Sequence, residues 1–126
     1  MSQEPHKLDK KTGVAHFFAA AQYSWAGLRY MTGEVPFRHE LSATITLLAI
    51  LFWQSADPFH ILLTFALCLI TIAFEAVNSA IELIVDRVSP EYSKFAKNAK
   101  DVGSFAVCTL MIATGACFAF ALYATV

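Results

Sequence analysis

Residues 59–89 constrain this chain more than any other segment: they run for 31 residues without a proline or a glycine. An unbroken run of this length reads as one helix of roughly 45 Å, longer than the ~30 Å hydrocarbon core of a bilayer. A soluble fold of 126 residues has too little interior to cover such a helix on every side. The composition points the same way, with 57% hydrophobic and 15% charged residues and a mean hydropathy of +0.55. Soluble domains carry about 25% charged residues. The chain is therefore expected to be an integral membrane protein of one domain.

The other segments fit that expectation. Residues 1–13 are polar and read as a tail. No apolar core follows their basic residues, so they do not read as a secretory signal, and the later apolar segments are expected to stay in the mature protein. Residues 14–32 place Phe17, Phe18, Ala21, Trp25 and Leu28 at three- and four-residue spacing, which predicts a helix. His16, Gln22 and Arg29 interrupt it, so it is expected to lie in the interface with its aromatics at headgroup depth. Gly33 and Pro36 punctuate the chain before a first span over about 37–56. A turn at Gln54–Pro58 leads to a second span over 59–88. Ser89-Pro90-Glu91 has the order of a helix start, with a capping residue, then proline, then an acid. Residues 90–101 read as a polar helical linker, and a third span over 102–126 contains no charge. The predicted class is all-α: an amphipathic surface helix plus three transmembrane helices.

Charge placement orients the spans. Lys7, Lys10, Lys11, Arg29, Arg38, Arg87, Lys94, Lys97 and Lys100 are all nine basic residues, and the 54–58 turn has none. The N-terminus and the 86–101 linker are then expected in the cytoplasm, with the turn and the C-terminus outside. A net charge of −1 supplies no field to attract nucleic acid. Cys68, Cys108 and Cys117 lie in apolar runs without C-x-x-C spacing and read as small buried hydrophobes. His6, His16, His39 and His60 are scattered, so no histidine metal site is expected. The sequence has no phosphate-binding glycine loop of the G-x-x-x-x-G-K-[ST] type, no protein-kinase signature and no H-E-x-x-H motif.

The chemistry concentrates on the second span. At ~100° per residue Glu75, Asn78, Glu82 and Asp86 fall at about 0°, 300°, 340° and 20°, with Ser79 beside them at about 40°. Carboxylates on one stripe of a membrane helix are costly and must face a bundle interior, a metal or an aqueous pocket. About 16 largely apolar residues precede Glu75, or ~24 Å of helix, which sets it near the inner edge of the hydrocarbon layer. That depth suits headgroup chemistry better than a transport site near the midplane. Glu75 is placed for general-base work. Glu82, two turns further out, is placed to ligate a divalent cation, and Glu34 could supply a second oxygen. Mg²⁺ accepts one or two carboxylates, phosphate oxygens and waters. Lys100-Asp101-x-Gly103-Ser104, at the expected start of the third span, combines a cation with a helix N-terminus and so favours phosphate. A transporter subunit would instead carry ionisable groups at mid-membrane on several helices. A non-catalytic scaffold would leave the polar stripe unexplained.

The segments E-A-V-N-S-A-I-E-L-I-V-D-R (75–87) and A-K-D-V-G-S (99–104), with Y-S-W-A-G-L-R (23–29) and F-R-H-E (37–40), resemble the prokaryotic diacylglycerol kinase family. The resemblance covers residues 14–126. It implies a homotrimer in the bacterial inner membrane, with sites formed between subunits and Mg²⁺-ATP-dependent phosphorylation of a lipid hydroxyl. The acceptor is expected to be diacylglycerol, with undecaprenol as the alternative within the family. By motif position it implies Glu75 as base, Asn78 as a catalytic residue that supports the centre, and Glu34 and Glu82 as metal ligands. It further implies Tyr23, Glu91, Tyr92, Lys100 and Asp101 at the nucleotide, and Trp25, Glu40 and Ser104 along the lipid path. Two positions depart from the family pattern: His16 stands where arginine is common, and Ser93 where histidine is common.

Overall fold

A computed structural model describes residues 13–125. The expected polar tail, including Lys7, Lys10 and Lys11, lies outside the described residues except for Gly13, as does Val126. All regular structure among the described residues is helical: α1 Val14–Met31, α2 Val35–Trp53, α3 Pro58–Val88 and α4 Lys94–Tyr123. The chain divides after Gly33 into two compact units.

The first unit contributes α1. Its side chains are almost all exposed, including Phe17, Phe18 and Trp25. Phe17 and Phe18 meet edge to face with ring centroids 6.0 Å apart.

The second unit contains α2, α3 and α4, each long and apolar enough to cross a membrane. α2 opens at Val35 with Pro36 in its first turn, where the missing N–H costs nothing. It closes on Ser55, whose φ of 54° is left-handed. The Ala56 amide donates to the Leu51 carbonyl at 3.0 Å and the Ser55 amide to the Phe52 carbonyl at 3.1 Å. These two bonds form a Schellman stop, and Ala56 packs on Leu51 beside Ala121 as such stops favour. Asp57 then caps α3 by accepting the Phe59 amide at 2.8 Å, with Pro58 at the first helical position.

At the far end of α3 the sequence expectation is corrected. Ser89-Pro90-Glu91 does not restart a helix: Ser89 is the C-cap of α3, and 89–93 is non-helical. Proline pushes its predecessor out of the α region, so Pro90 ends a helix here rather than starting one. The next helix begins four residues later, where Ser93 adopts extended φ and ψ and accepts the Ala96 amide at 3.1 Å. α4 then runs unbroken through the polar stretch 94–101 into the expected third span.

α3 packs along α4 and, less extensively, against α2. The α3–α4 seam is polar where it is deepest. Thr71 and Thr114 hydroxyls meet at 3.2 Å, and Thr64 lies 3.6 Å from the Cys117 sulfur. Both Thr71 and Thr114 also donate to carbonyls one turn back, at 2.9 Å, so neither hydroxyl is stranded. The outward faces keep Ile45, Leu62, Ile84, Phe105 and Ile112 exposed, as helices surrounded by lipid or by other subunits require.

Candidate active site

A cavity of about 560 Å³ lies among α2, α3 and α4. α2 faces it with Pro36, Glu40, Ala43 and Leu47, a spacing of three and four residues that presents one helical face, and the N-cap Glu34 adds its side chain at the mouth. α3 supplies Cys68, Thr71, Glu75, Asn78, Ser79 and Glu82. α4 supplies residues from Ser104 to Gly115. One end holds four carboxylates, those of Glu34, Glu40, Glu75 and Glu82. The other is lined by Leu47, Met111, Cys68, Thr114 and Gly115. The cavity is thus amphipathic along its length and matches a ligand with one polar and one apolar end.

The carboxylates are close enough to act on one another electrostatically: Glu82 and Glu34 on Glu75, and Glu75 on Glu40. Glu75 is buried, with 6% of its surface exposed. Glu34 is the N-cap of α2, but its side chain makes no cap hydrogen bond, so its carboxylate is not committed to the helix start. The Asn78 amide donates to Glu82 Oε1 at 3.1 Å. Two buried oxygens in this group have no hydrogen-bond partner, Glu40 Oε2 and Asn78 Oδ1. Unsatisfied buried acceptors are uncommon and point to a ligand or a special contact.

The donor set fits a hard cation that brings its own oxygens. Glu34 and Glu82 offer two carboxylates beside the buried Glu75, while the described residues contain no group of three His, Cys, Asp or Glu side chains able to hold a metal. A Mg²⁺ ion that shares phosphate oxygens and water would suit two carboxylates.

Six of the expected site residues meet in this cavity: Glu34, Glu40, Glu75, Asn78, Glu82 and Ser104. Glu91, Tyr92, Lys100 and Asp101, in the same unit, do not line it. Tyr23 and Trp25 are exposed on α1, and Glu91 and Tyr92 are exposed between α3 and α4. Lys100 pairs with Asp86, and Asp101 with Lys97, on the exposed rim. Asp86 stays on the stripe of α3 but lies beyond the cavity, where it bridges α3 to α4. Contrary to the sequence expectation, Gly103 and Ser104 do not stand at a helix start. α4 begins at Lys94, so residues 100–104 lie inside the helix and their amides are bonded within it. Any attraction for phosphate there comes from the Lys100 charge, not from a helix end.

The sequence reading missed the inward half of the stripe. Thr71, Cys68 and Thr64 fall at about 320°, 20° and 340° on the same wheel, continuous with Glu75. All three are buried. His39, Thr44 and Cys108 also line the cavity, and Cys108 is exposed rather than buried as its apolar surroundings predict.

Known proteins place this arrangement. The prokaryotic diacylglycerol kinase family profile matches residues 22–122. A diacylglycerol kinase of a Sinorhizobium species is 48% identical over 108 residues, covering 86% of this chain and 79% of that protein. The diacylglycerol kinase of Pseudomonas aeruginosa is 39% identical over 107 residues, 84% of this chain and 85% of the relative. That of Escherichia coli K12 is 37% identical over 102 residues, 80% and 84%. The four-carboxylate cavity among membrane-length helices and the family match together mean that the chain belongs to the prokaryotic diacylglycerol kinase family, a family of membrane lipid kinases.

Proposed function

We propose that the protein transfers the γ-phosphate of ATP to the hydroxyl of diacylglycerol, giving phosphatidic acid and ADP at the cytoplasmic face of the bacterial inner membrane. The observation that carries this reading is the cavity itself, with Glu75 buried between a carboxylate-lined end and an apolar end. The acceptor hydroxyl arrives laterally from the bilayer, its acyl chains toward Leu47 and Met111. As the hydroxyl oxygen bonds to the γ-phosphorus, the bond from that phosphorus to the bridging oxygen of ADP breaks. The hydroxyl proton passes to the Glu75 carboxylate. Glu34 and Glu82 would hold Mg²⁺, which when bound offsets the charge on the phosphate oxygens. Asn78 fixes the orientation of Glu82 through its amide. Glu40 and Ser104 border the lipid path, with Trp25 on α1. Tyr23, Glu91, Tyr92, Lys100 and Asp101 contact the nucleotide.

The same reading includes a homotrimer. Glu91, Tyr92, Lys100 and Asp101 stand outside the cavity of their own chain, which supports a site completed between subunits. It also includes a cytoplasmic N-terminus and a C-terminus on the outer side, supported by Arg87, Lys94, Lys97 and Lys100 clustering at one end of α3 and α4, with α1 in the headgroup layer. The test is purified protein in mixed micelles with labelled ATP, offered diacylglycerol and undecaprenol separately. Label in phosphatidic acid at the higher rate supports the proposal. Faster labelling of undecaprenol overturns the acceptor, and no labelled lipid overturns the reaction.

A further inference from the structure

The cavity contains one contact that helix geometry alone does not explain. A Cβ built on Gly103 would stand 2.2 Å from Asn78 Oδ1 and 3.3 Å from its Cγ. The Gly103 hydrogen that takes the place of a side chain therefore points at the Asn78 oxygen, the geometry of a Cα–H···O contact. That oxygen is one of the two buried acceptors with no conventional partner. The other half of the carboxamide faces Glu82, with Nδ2 donating to Oε1 at 3.1 Å. A carboxylate only accepts, so the amide nitrogen must turn toward Glu82 and the oxygen toward α4. Asn78 is thus wedged between the two.

We propose that Gly103 is a positioning residue: by presenting no side chain it seats the Asn78 carboxamide against α4, and so aims Glu82 at the cation. The proposal rests on the reading that Glu82 holds Mg²⁺. It predicts a functional cost with little structural one. In Gly103→Ala the atom that must yield is the end of a side chain, not backbone. The next nearest group, Ile81 Cδ1, is at an ordinary 3.8 Å. The helix can keep its place while Asn78 swings and releases Glu82.

The experiment uses full-length protein in detergent with a non-hydrolysable ATP analogue. It measures Mn²⁺ affinity by electron paramagnetic resonance and thermal stability by circular dichroism. Losing a partner that orients a metal ligand typically costs ~10–100-fold in affinity. Gly103→Ala and Asn78→Ala should each weaken Mn²⁺ binding by that factor, with melting close to wild type. The double variant should be no weaker than Asn78→Ala alone, because the methyl then enters vacated space. Wild-type Mn²⁺ affinity in Gly103→Ala, or effects that multiply in the double variant, overturns the proposal. If Gly103→Ala fails to fold, folding of the double variant supports the clash with Asn78, and its failure assigns Gly103 to helix packing and overturns the proposal. Glu82→Gln separates the two levels. If it binds Mn²⁺ as wild type does, the metal reading falls and the positioning role falls with it. If it weakens binding and Gly103→Ala does not, only the positioning role falls.

Discussion

Replacing Glu75 by glutamine should abolish turnover and leave the fold intact. Glutamine preserves size and most hydrogen bonding but cannot accept the hydroxyl proton. General-base removal costs ~10²–10⁴ in rate, or about 3–5 kcal/mol of barrier. The structural cost works in the opposite direction. Among the described residues no hydrogen bond ties Glu75 to α2 or α4, so no strut is lost. Glu75 and Glu82 are seven residues apart on one helix, or ~10.5 Å along its axis. At an effective dielectric of ~20, two unit charges at that distance repel by on the order of 1–2 kcal/mol, and the substitution removes that repulsion. Glu75→Gln should therefore melt at or slightly above the wild-type temperature in detergent. A coupled ADP-release assay with diacylglycerol in mixed micelles gives the rate, and a nucleotide-analogue titration gives the affinity, which should hold. Retention of more than about a tenth of wild-type turnover refutes the base assignment, because even the weak end of the expected range is ~10². Loss of melting temperature together with activity would make Glu75 a structural residue.

Two further outcomes follow from the helix ends and the charge pattern. Ser55→Gly should raise stability by roughly 0.5–1 kcal/mol, since the left-handed position costs ~1–2 kcal/mol for a side chain and glycine returns part of that as unfolded-state entropy; an unchanged or lower melting temperature would contradict the strain at Ser55. Single cysteines at Gln54 and Lys94, in a background lacking Cys68, Cys108 and Cys117, should differ toward an impermeant thiol reagent on intact cells. Position 54 should react and 94 should not, and equal labelling would contradict the orientation.

The helices were legible because apolar length is costly to hide, and the carboxylates because charge in a membrane helix demands a reason. The restart after α3 was harder. Ser89 and Ser93 both qualify as caps, and only the effect of Pro90 on its predecessor decides between them. That choice had a consequence at the site, because it moved Lys100 and Gly103 from a helix start to a helix interior. Thr64, Cys68 and Thr71 continue the stripe inward but are not among the expected site residues. Threonine in a helix satisfies itself on the carbonyl one turn back, so its presence among apolar residues signals little. Asp86 shared the angle of Glu75 yet left the site, since α3 outlasts the cavity and Lys100 is within reach there. The contact between Gly103 and Asn78 joins residues 25 apart on two helices and has no signature in spacing.

In the proposed reaction phosphate passes in one step from ATP to the lipid while Glu75 takes only a proton. The stereochemical course at phosphorus tests this most directly, using ATP whose γ-phosphorus is made chiral with sulfur and oxygen isotopes. A single in-line displacement inverts that centre, so the phosphatidic acid analogue should form with inversion. Retention would mean two displacements through a phosphorylated carboxylate, and would contradict the role assigned to Glu75.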